Sequence, residues 1–113
     1  MRLLVCGGRD YKNEAKIHEV LAYLLDTYKV SHIISGGANG VDTIAVQWAE
    51  ANKIPFTVYE ADWKKYNKAA GPIRNTQMLV EGKPDFVVAF PGGAGTANMV
   101  KQSKDKGIKV ILI

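Results

Sequence analysis

Five short apolar runs, separated by longer amphipathic stretches, are the feature that most restricts the fold of this 113-residue chain. The runs are rich in Val, Ile and Phe and are mostly continuous rather than alternating. Such runs are typical of strands that are buried on both faces of a sheet. We therefore predict five strands, at residues 2–6, 32–35, 55–59, 85–90 and 109–113.

Helical periodicity fills the intervals between these runs. Apolar residues at helix spacing give residues 17–28 and 41–49 one apolar face each. Weaker helical signals extend from about residue 72 to 81 and from 96 to 106, and Gly107 is suited to end the last helix. Because parallel neighbours need crossovers of this length, the alternation predicts an α/β fold with a five-stranded parallel sheet flanked by helices.

Composition limits the class of protein further. The length predicts a single domain spanning residues 1–113. No apolar stretch approaches the roughly 20 residues of a membrane span, and the first residues turn polar too early for a signal peptide, so we expect a cytoplasmic protein without a membrane partner. Cys6 is the single cysteine, and neither paired Cys-x-x-Cys motifs nor carboxylates at metal spacing occur, so no metal site is predicted. The formal charge of +4 suits an anionic ligand, although a solvated basic surface also explains it.

Distinctive polar and glycine-rich segments follow the predicted strands. In a parallel sheet the loops after the strands gather at one edge, where ligands bind in such folds. "GGRDY" follows the first strand, "SGGANGVD" the second and "PGGAGT" the fourth. Residues 60–78, after the third strand, are too many for a simple turn, and we interpret them as a loop that borders or covers a site.

Two of these segments lead directly into predicted helices and favour an anion. Glycine lets a ligand approach the backbone, and the start of a helix presents free N–H groups and the positive end of its dipole. Ser35 and Thr96 could add hydroxyl donors, and the planar guanidinium of Arg74 could hold a phosphate. A complete GxGxxG and any GxxxxGK[ST] are absent, which disfavours ordinary dehydrogenases and P-loop NTPases, and we expect no cofactor.

The predicted ligand-binding residues all belong to the segments after the strands. They are Gly7, Gly8, Arg9, Asp10, Ser35, Gly36, Gly37, Gly40, Asp42, Arg74, Asn75, Pro91, Gly92, Gly93, Gly95 and Thr96. Some have a structural alternative: Asp10 could stabilise a turn, Asp42 could favour the dipole of its helix, and Arg74 could form a surface salt bridge. Trp63 and Tyr66 could stack on a base or pack against a partner subunit.

Four stretches of the chain resemble the YspA-like branch of the SLOG superfamily: "CGGRDY", "SGGANGVDTIAVQWAE", "DWKKYNKAAGPIRNTQM" and "FPGGAGTANMV". That superfamily includes the LOG cytokinin-activating hydrolases and the DNA-processing protein DprA. The resemblance implies a Rossmann-like three-layer fold and a nucleotide or nucleotide-derived ligand. It also implies a homodimer, because LOG relatives pair through helices beside the site, with the helix that contains Trp48 or the 60–78 loop at the interface.

The similarity to the LOG enzymes breaks at one position. Those enzymes carry PGGxGTxxE, whose glycines hold the 5′-phosphate and whose glutamate assists cleavage of the base–ribose bond. Pro91, the glycines and Thr96 match here, and Arg74 is the counterpart of an upstream arginine, but Met99 replaces the glutamate. Methionine can neither stabilise a cationic sugar nor direct water. Hydrolysis would need a carboxylate from another loop, and the candidate catalytic residues are Asp10, Asp42, Asp62 and Arg74.

Three functions stay open at this point. The first, favoured by a phosphate motif beside a missing glutamate, is a protein that senses, carries or sequesters a nucleotide or nucleotide derivative. The second is an N-glycosidic hydrolase that acts on a nucleoside monophosphate or related compound through an aspartate. The third is single-stranded nucleic-acid binding, suggested by the basic balance, by Trp63 and Tyr66, and by the similarity to DprA.

Overall fold

The computed structural model describes all residues, 1–113, and contains one sheet in which every strand runs parallel to its neighbours. The strands lie in the order β3-β2-β1-β4-β5. Their bounds are β1 (Arg2–Cys6), β2 (His32–Ser35), β3 (Phe56–Val58), β4 (Phe86–Ala89) and β5 (Lys109–Leu112). The predicted five-stranded parallel sheet is confirmed, with β3 shorter than the apolar run that predicts it.

Helices connect consecutive strands, as the crossovers of a parallel sheet require. They are α1 (Glu14–Tyr28), α2 (Val41–Ala51), α3 (Trp63–Tyr66), α4 (Ala70–Gly82) and α5 (Ala94–Asp105), and a 3-10 turn at Asn67–Ala69 joins α3 to α4. None of these helices is both long enough and apolar enough to span a membrane.

The helices cover the sheet in two layers and so create two apolar cores. Alternate residues of a strand face opposite sides of a sheet. Leu3 and Val5 of β1 accordingly pack in the larger core with buried side chains of α1 and α2, and Leu4 packs in the smaller core with α4 and α5. This three-layer arrangement confirms the Rossmann-like prediction. Trp48 is 8% exposed and lies in the larger core, not on the surface of α2.

The segment after β3 differs from its prediction as a loop. Residues 63–82 are helical except for the short 3-10 turn, because local signals start helices here. The Asp62 carboxylate accepts the Lys65 N–H at 3.1 Å and caps α3. α4 begins at Ala70, two residues earlier than its apolar pattern predicts. Pro72 is therefore inside the first turn, where its missing N–H removes no intrahelical bond.

The strand order determines where the helices separate. From β1 the chain builds one half of the sheet through β2 and β3, and then crosses back so that β4 pairs with the other side of β1. The segments that leave β1 and β4 therefore lead to opposite faces of the sheet. Such a reversal leaves a crevice at the carboxyl ends of the two strands, where open α/β sheets bind their ligands.

Candidate functional site

A cleft of about 340 Å³ lies at the carboxyl ends of β1 and β4. The loop after β1, the start of α2, the first half of α4 and the start of α5 line it, and Trp63 stands at its rim. A second hollow of about 250 Å³ adjoins the cleft and shares Arg9, Ala38, Trp63 and Arg74 with it. A larger groove of about 620 Å³ between α5 and the end of β5 has aliphatic and lysine walls and holds few of the predicted residues. The polar chemistry is thus concentrated in the cleft and the adjoining hollow.

The turn from β4 into α5 is open toward the cleft. No side chain caps α5, and the first helical bond runs from the Ala97 N–H to the Gly93 carbonyl. The N–H groups of Ala94, Gly95 and Thr96 have no protein acceptor. A Cβ atom built on Gly93 or Gly95 would meet nothing within 4 Å, and neither glycine has a positive φ. We call residues 93–96 the open turn; its backbone is accessible because these glycines carry no side chain.

Pro91 and Gly92 precede the open turn and have a different role. The Pro91 carbonyl accepts the Gly8 N–H at 2.9 Å. A Cβ atom on Gly92 would collide with the Thr96 hydroxyl and lie 2.7 Å from the Gly8 nitrogen. Both residues line the groove beside β5 and not the cleft. They join the β1 and β4 loops and place the open turn beside Gly8.

The turn from β2 into α2, residues 35–42, is closed by its own hydrogen bonds, and we call it the closed turn. The buried Ser35 hydroxyl accepts the Gly37 N–H at 3.3 Å and donates to the Asp42 carbonyl at 3.4 Å. Gly40 has a φ of 81°, and a Cβ atom there would lie 2.5 Å from the Gly8 carbonyl oxygen. Ser35 and Gly40 therefore support the turn from below and line neither hollow, whereas Gly36 and Gly37 line the hollow beside the cleft.

Asp42 is the buried carboxylate of the cleft, with 6% of its surface exposed. Its Oδ2 accepts the Ala38 N–H at 3.1 Å, while its Oδ1 is buried without a hydrogen-bond partner. Burial raises the pKa of the Asp42 carboxyl from 3.8 to about 6, because desolvation penalises the charged form. Bonds from backbone N–H groups and the charges of Arg74 and Arg9 lower that pKa but do not cancel the desolvation.

Arg74 and Asn75, in the second turn of α4, tie the two turns together. The Arg74 guanidinium donates through Nη1 to the Gly36 carbonyl at 2.5 Å and through Nε to the Asn75 side-chain oxygen at 3.2 Å. The Asn75 amide nitrogen donates to the Gly95 carbonyl and to the Asn98 side chain, both at 3.1 Å. Asn75 therefore uses its polar atoms within the protein and positions Arg74. The Nη2 of Arg74 has no protein partner.

Arg74 does not form the surface salt bridge that was its structural alternative. The protein has one ion pair, between Lys101 and Asp105 on the surface of α5. Burial lowers the pKa of Arg74, and the nearby Asp42 carboxylate opposes that effect. An arginine titrates so far above neutral pH that the guanidinium stays charged. The cleft thus contains a half-buried cation with one free donor nitrogen.

Trp63 and Arg9 form the rim between the two hollows. The Arg9 guanidinium carbon lies 5.9 Å from the centroid of the Trp63 ring, within the range of a cation–π contact. Trp63 is 48% exposed and packs over Gly71, where an added Cβ atom would be 3.6 Å from the ring. Tyr66 lines neither hollow, so of the two aromatics only Trp63 belongs to the site.

The candidate carboxylates are distributed unequally. Asp10 lines the cleft but is exposed, and Asp62 caps α3 and lines neither hollow. Met99 is 1% exposed and packs in the smaller core with Cys6 and Met78, which themselves line the cleft. Position 99 therefore faces the core. Burial, followed by the Asp42 charge, raises the pKa of Cys6 to about 12, so this thiol is no nucleophile near neutral pH.

The structure brings most of the predicted residues into one place. Ten of them line the cleft: Gly7, Gly8, Arg9, Asp10, Asp42, Arg74, Asn75, Gly93, Gly95 and Thr96. Sequence reasoning missed the Ala38 N–H, which pairs with Asp42, and Gly71, which supports Trp63. Neither residue has a sequence signal of its own, since both roles depend on contacts with other segments of the chain.

Comparison with known proteins gives two matches. The family model described as "YspA, cpYpsA-related SLOG family" matches residues 1–66. The "Gene 61 protein" of Mycobacterium phage D29 is 33% identical over 118 residues, which cover 97% of this chain and 94% of that protein. The family match includes the β1 loop, the closed turn and Trp63. Arg74 and the open turn lie beyond residue 66, inside the region that is similar to the phage protein.

Proposed function

Because this chain belongs to the YspA, cpYpsA-related SLOG family, we propose that it binds a nucleotide or nucleotide-derived ligand in the cleft at the ends of β1 and β4. Membership of this family supports a nucleotide-related binding or glycosidase-like role. The observation that carries the proposal is the open turn, which presents three N–H groups without acceptors in the same cleft that Arg74, with its free donor nitrogen, lines. We further propose that residues 1–113 act as one domain, since both halves of the sheet supply cleft residues.

The phosphate of the ligand occupies the open turn in this proposal. A helix start binds phosphate through its free N–H groups and the positive end of its dipole. Gly93 and Gly95 leave the space that an anion needs for direct approach to the backbone. Arg74 adds a charge-assisted hydrogen bond, which is about twice as strong as a neutral one. Its bonds to the Gly36 carbonyl and Asn75 fix the guanidinium before the ligand arrives.

The base of the ligand stacks on Trp63 in the same proposal. The exposed indole lines both the cleft and the adjoining hollow, and the open turn lines the same cleft. Stacking on an aromatic side chain contributes about 1–3 kcal/mol per base and tolerates any base. The Arg9 guanidinium by the ring adds positive charge at the rim.

Hydrolysis of an N-glycosidic bond is the second candidate, and Asp42 is the observation that favours it. A carboxyl with its pKa raised to about 6 exchanges protons near neutral pH, as a general acid or base must. Release of free base from nucleoside monophosphates, followed by chromatography, tests this function. Turnover that disappears in Asp42→Asn would establish the hydrolase, and no base release from any member of the panel would remove it.

Nucleotide binding is tested by titrating the protein with the four common ribonucleoside monophosphates and inorganic phosphate in calorimetry. We expect Arg74→Ala to weaken nucleotide binding at least tenfold, because it removes a charged donor from a partly buried site. Lys106→Ala removes the same charge just after the far end of α5 and should change affinity less than twofold. Wild-type affinity in Arg74→Ala, or no binding of any nucleotide, would contradict the proposal.

Nucleic-acid binding and dimerisation are separate outcomes. The exposed segment 63–69 carries three lysines beside Trp63 and Tyr66, so oligonucleotide binding that weakens steeply with salt would favour the third function over a small ligand.

A homodimer stays a prediction. Trp48 is buried, so an interface on α2 would have to use other residues, and segment 63–69 is the exposed alternative. A monomer at all concentrations in analytical ultracentrifugation would exclude a dimer.

A further inference from the structure

Asp42 has a free carboxylate oxygen that the fold does not use. Its Oδ1 is the only buried side-chain polar atom of the protein without a hydrogen-bond partner. Buried polar atoms are paired in the great majority of cases, so an exception at a cleft calls for a specific explanation. The other oxygen, Oδ2, already secures the closed turn through the Ala38 N–H. The structural role of Asp42 is therefore fulfilled by one half of its carboxylate.

No neighbouring group of the protein donates a hydrogen bond to Oδ1. The Gly36 N–H interacts with the carboxylate and lowers its pKa, but it makes no hydrogen bond to Oδ1. From β1 the Cys6 thiol donates weakly to the Val88 carbonyl at 3.7 Å. From α4, Arg74 directs Nε and Nη1 to other acceptors. Arg9, from the β1 loop, is turned toward Trp63, and both arginines act on Asp42 through their charge without a hydrogen bond. Within the protein no group donates to Oδ1, and Asp42 lines the cleft, so a ligand in the cleft is the remaining source of a donor for this carboxylate.

The chemistry of that donor follows from the two sides of the cleft. The start of α2 brings a carboxylate to the same cleft in which the start of α5 presents its N–H groups. A phosphate cannot face Asp42, because two anions repel, so the part of a bound nucleotide beside Asp42 must be a neutral donor. The ribose of a 5′-monophosphate carries neighbouring hydroxyl groups on C2′ and C3′, between the phosphate and the base, and a carboxylate is a strong acceptor for them.

We propose that Asp42 accepts a hydrogen bond from a ribose hydroxyl of the bound nucleotide and makes the cleft selective for ribonucleotides over deoxyribonucleotides. This inference rests on the proposed function and identifies the class of ligand that the cleft takes. It also gives the buried carboxylate at position 42 a role, since an uncharged side chain such as asparagine could accept the hydrogen bond from the Ala38 N–H equally well. Asp42 is a specificity-determining residue in this view.

The test compares matched ribo and deoxyribo ligands on two variants. The ribonucleoside 5′-monophosphate that binds wild-type protein best in calorimetry is compared with its 2′-deoxy and 3′-deoxy forms. A hydrogen bond to a charged group predicts a preference of about 10- to 100-fold for the ribonucleotide over at least one deoxy form. In Asp42→Asn the amide oxygen takes the Ala38 N–H, so its NH₂ group faces the ligand and cannot accept. The preference should then fall below about threefold.

The ratio of the two affinities is the readout, because it separates specificity from charge and folding. Loss of the Asp42 charge changes phosphate attraction equally for both ligands, and binding of the deoxy form shows that the variant is folded. Asp26→Asn, which removes an exposed aspartate of α1 that lines neither hollow, should keep the wild-type ratio. A ratio near one in wild-type protein, or the same ratio in Asp42→Asn, overturns this inference while nucleotide binding sensitive to Arg74 still stands. No nucleotide binding at all overturns both.

Discussion

The closed turn and the open turn are both rich in glycine and both connect a strand to a helix, yet they are built in opposite ways. Each follows a strand and leads into a helix. In the closed turn, Ser35 and Asp42 take up backbone N–H groups, and Gly37 and Gly40 adopt a positive φ. In the open turn no side chain caps the helix, no residue has a positive φ, and two glycines face empty space.

This difference separates two uses of glycine. In the closed turn glycine is required by the protein itself, since a side chain would be strained or would collide with neighbouring atoms. In the open turn nothing in the protein requires glycine at positions 93 and 95. A residue that costs helix stability without a structural need is expected where a ligand approaches the backbone. Three substitutions test this difference between the two turns.

The largest effect is expected from Gly40→Ala in the closed turn. The residue has a φ of 81°, and the new methyl group would lie 2.5 Å from the Gly8 carbonyl oxygen. Strain and collision together should lower the free energy of unfolding by about 3 kcal/mol or more. Urea unfolding followed by tryptophan fluorescence measures this change. A loss below about 1 kcal/mol would show that the closed turn is not held as the structure describes.

An intermediate effect of opposite sign is expected from Asp42→Asn. The folded carboxyl has a pKa of about 6 against 3.8 in its ordinary state, so the unfolded chain ionises first as pH rises. Wild-type stability should therefore fall between about pH 4 and pH 6 and stay low above it, by up to about 3 kcal/mol. The asparagine variant lacks this decline, so it should gain on wild-type protein as pH rises.

Urea unfolding at pH 4 and pH 7.5 measures this gain for Asp42→Asn. Comparing the variant with wild-type protein at both pH values removes any constant effect of the substitution on packing. The exposed Asp10→Asn serves as the control for the loss of a carboxylate at the protein surface. If Asp42→Asn lost stability relative to wild-type protein between the two pH values, the carboxylate would be stabilised by ionisation and not penalised by burial.

The smallest effect on stability is expected from Gly95→Ala in the open turn. The added methyl group meets no atom, and alanine favours a helix, so unfolding should become harder by about 0.5–1 kcal/mol. Affinity for the nucleotide should nevertheless fall about tenfold, because the methyl group occupies the approach to the backbone N–H groups. On the same preparation, scanning calorimetry measures the change in stability and titration calorimetry measures the change in nucleotide affinity. Unchanged affinity would mean that the phosphate does not bind at this helix start.

The sequence predicts the sheet and the edge that carries the site because both follow from local pattern. Continuous apolar runs define the strands, and the direction of parallel strands gathers the polar loops. The pattern cannot distinguish Gly40 from Gly95, since the difference depends on the Gly8 carbonyl, which arrives from a distant part of the chain. The burial of Asp42 depends in the same way on its packing against other segments.

Two other differences do have a local explanation. The helical start at Ala70 is set by buried small residues and by Pro72 in the first turn, which an apolar periodicity does not register. Met99 lies four residues before the buried Ser103, so both belong to the inward face of α5. Position 99 therefore lies in the core, whereas the comparison with the glutamate of the LOG motif suggested the site.

The pairing of β1 with β4 has a consequence for the order in which the molecule assembles. Leu3 pairs with Ile33 of β2 on one side and with Phe86 of β4 on the other. One edge of β1 therefore stays unpaired until β4 has been synthesised. During synthesis the closed turn and its half of the sheet emerge from the ribosome first. Pairings between residues distant in sequence form slowly, because their loop-closure entropy is paid before contacts form. The open turn reaches Gly8 only when β4 docks, so the cleft can hold a ligand only after both halves of the sheet have met.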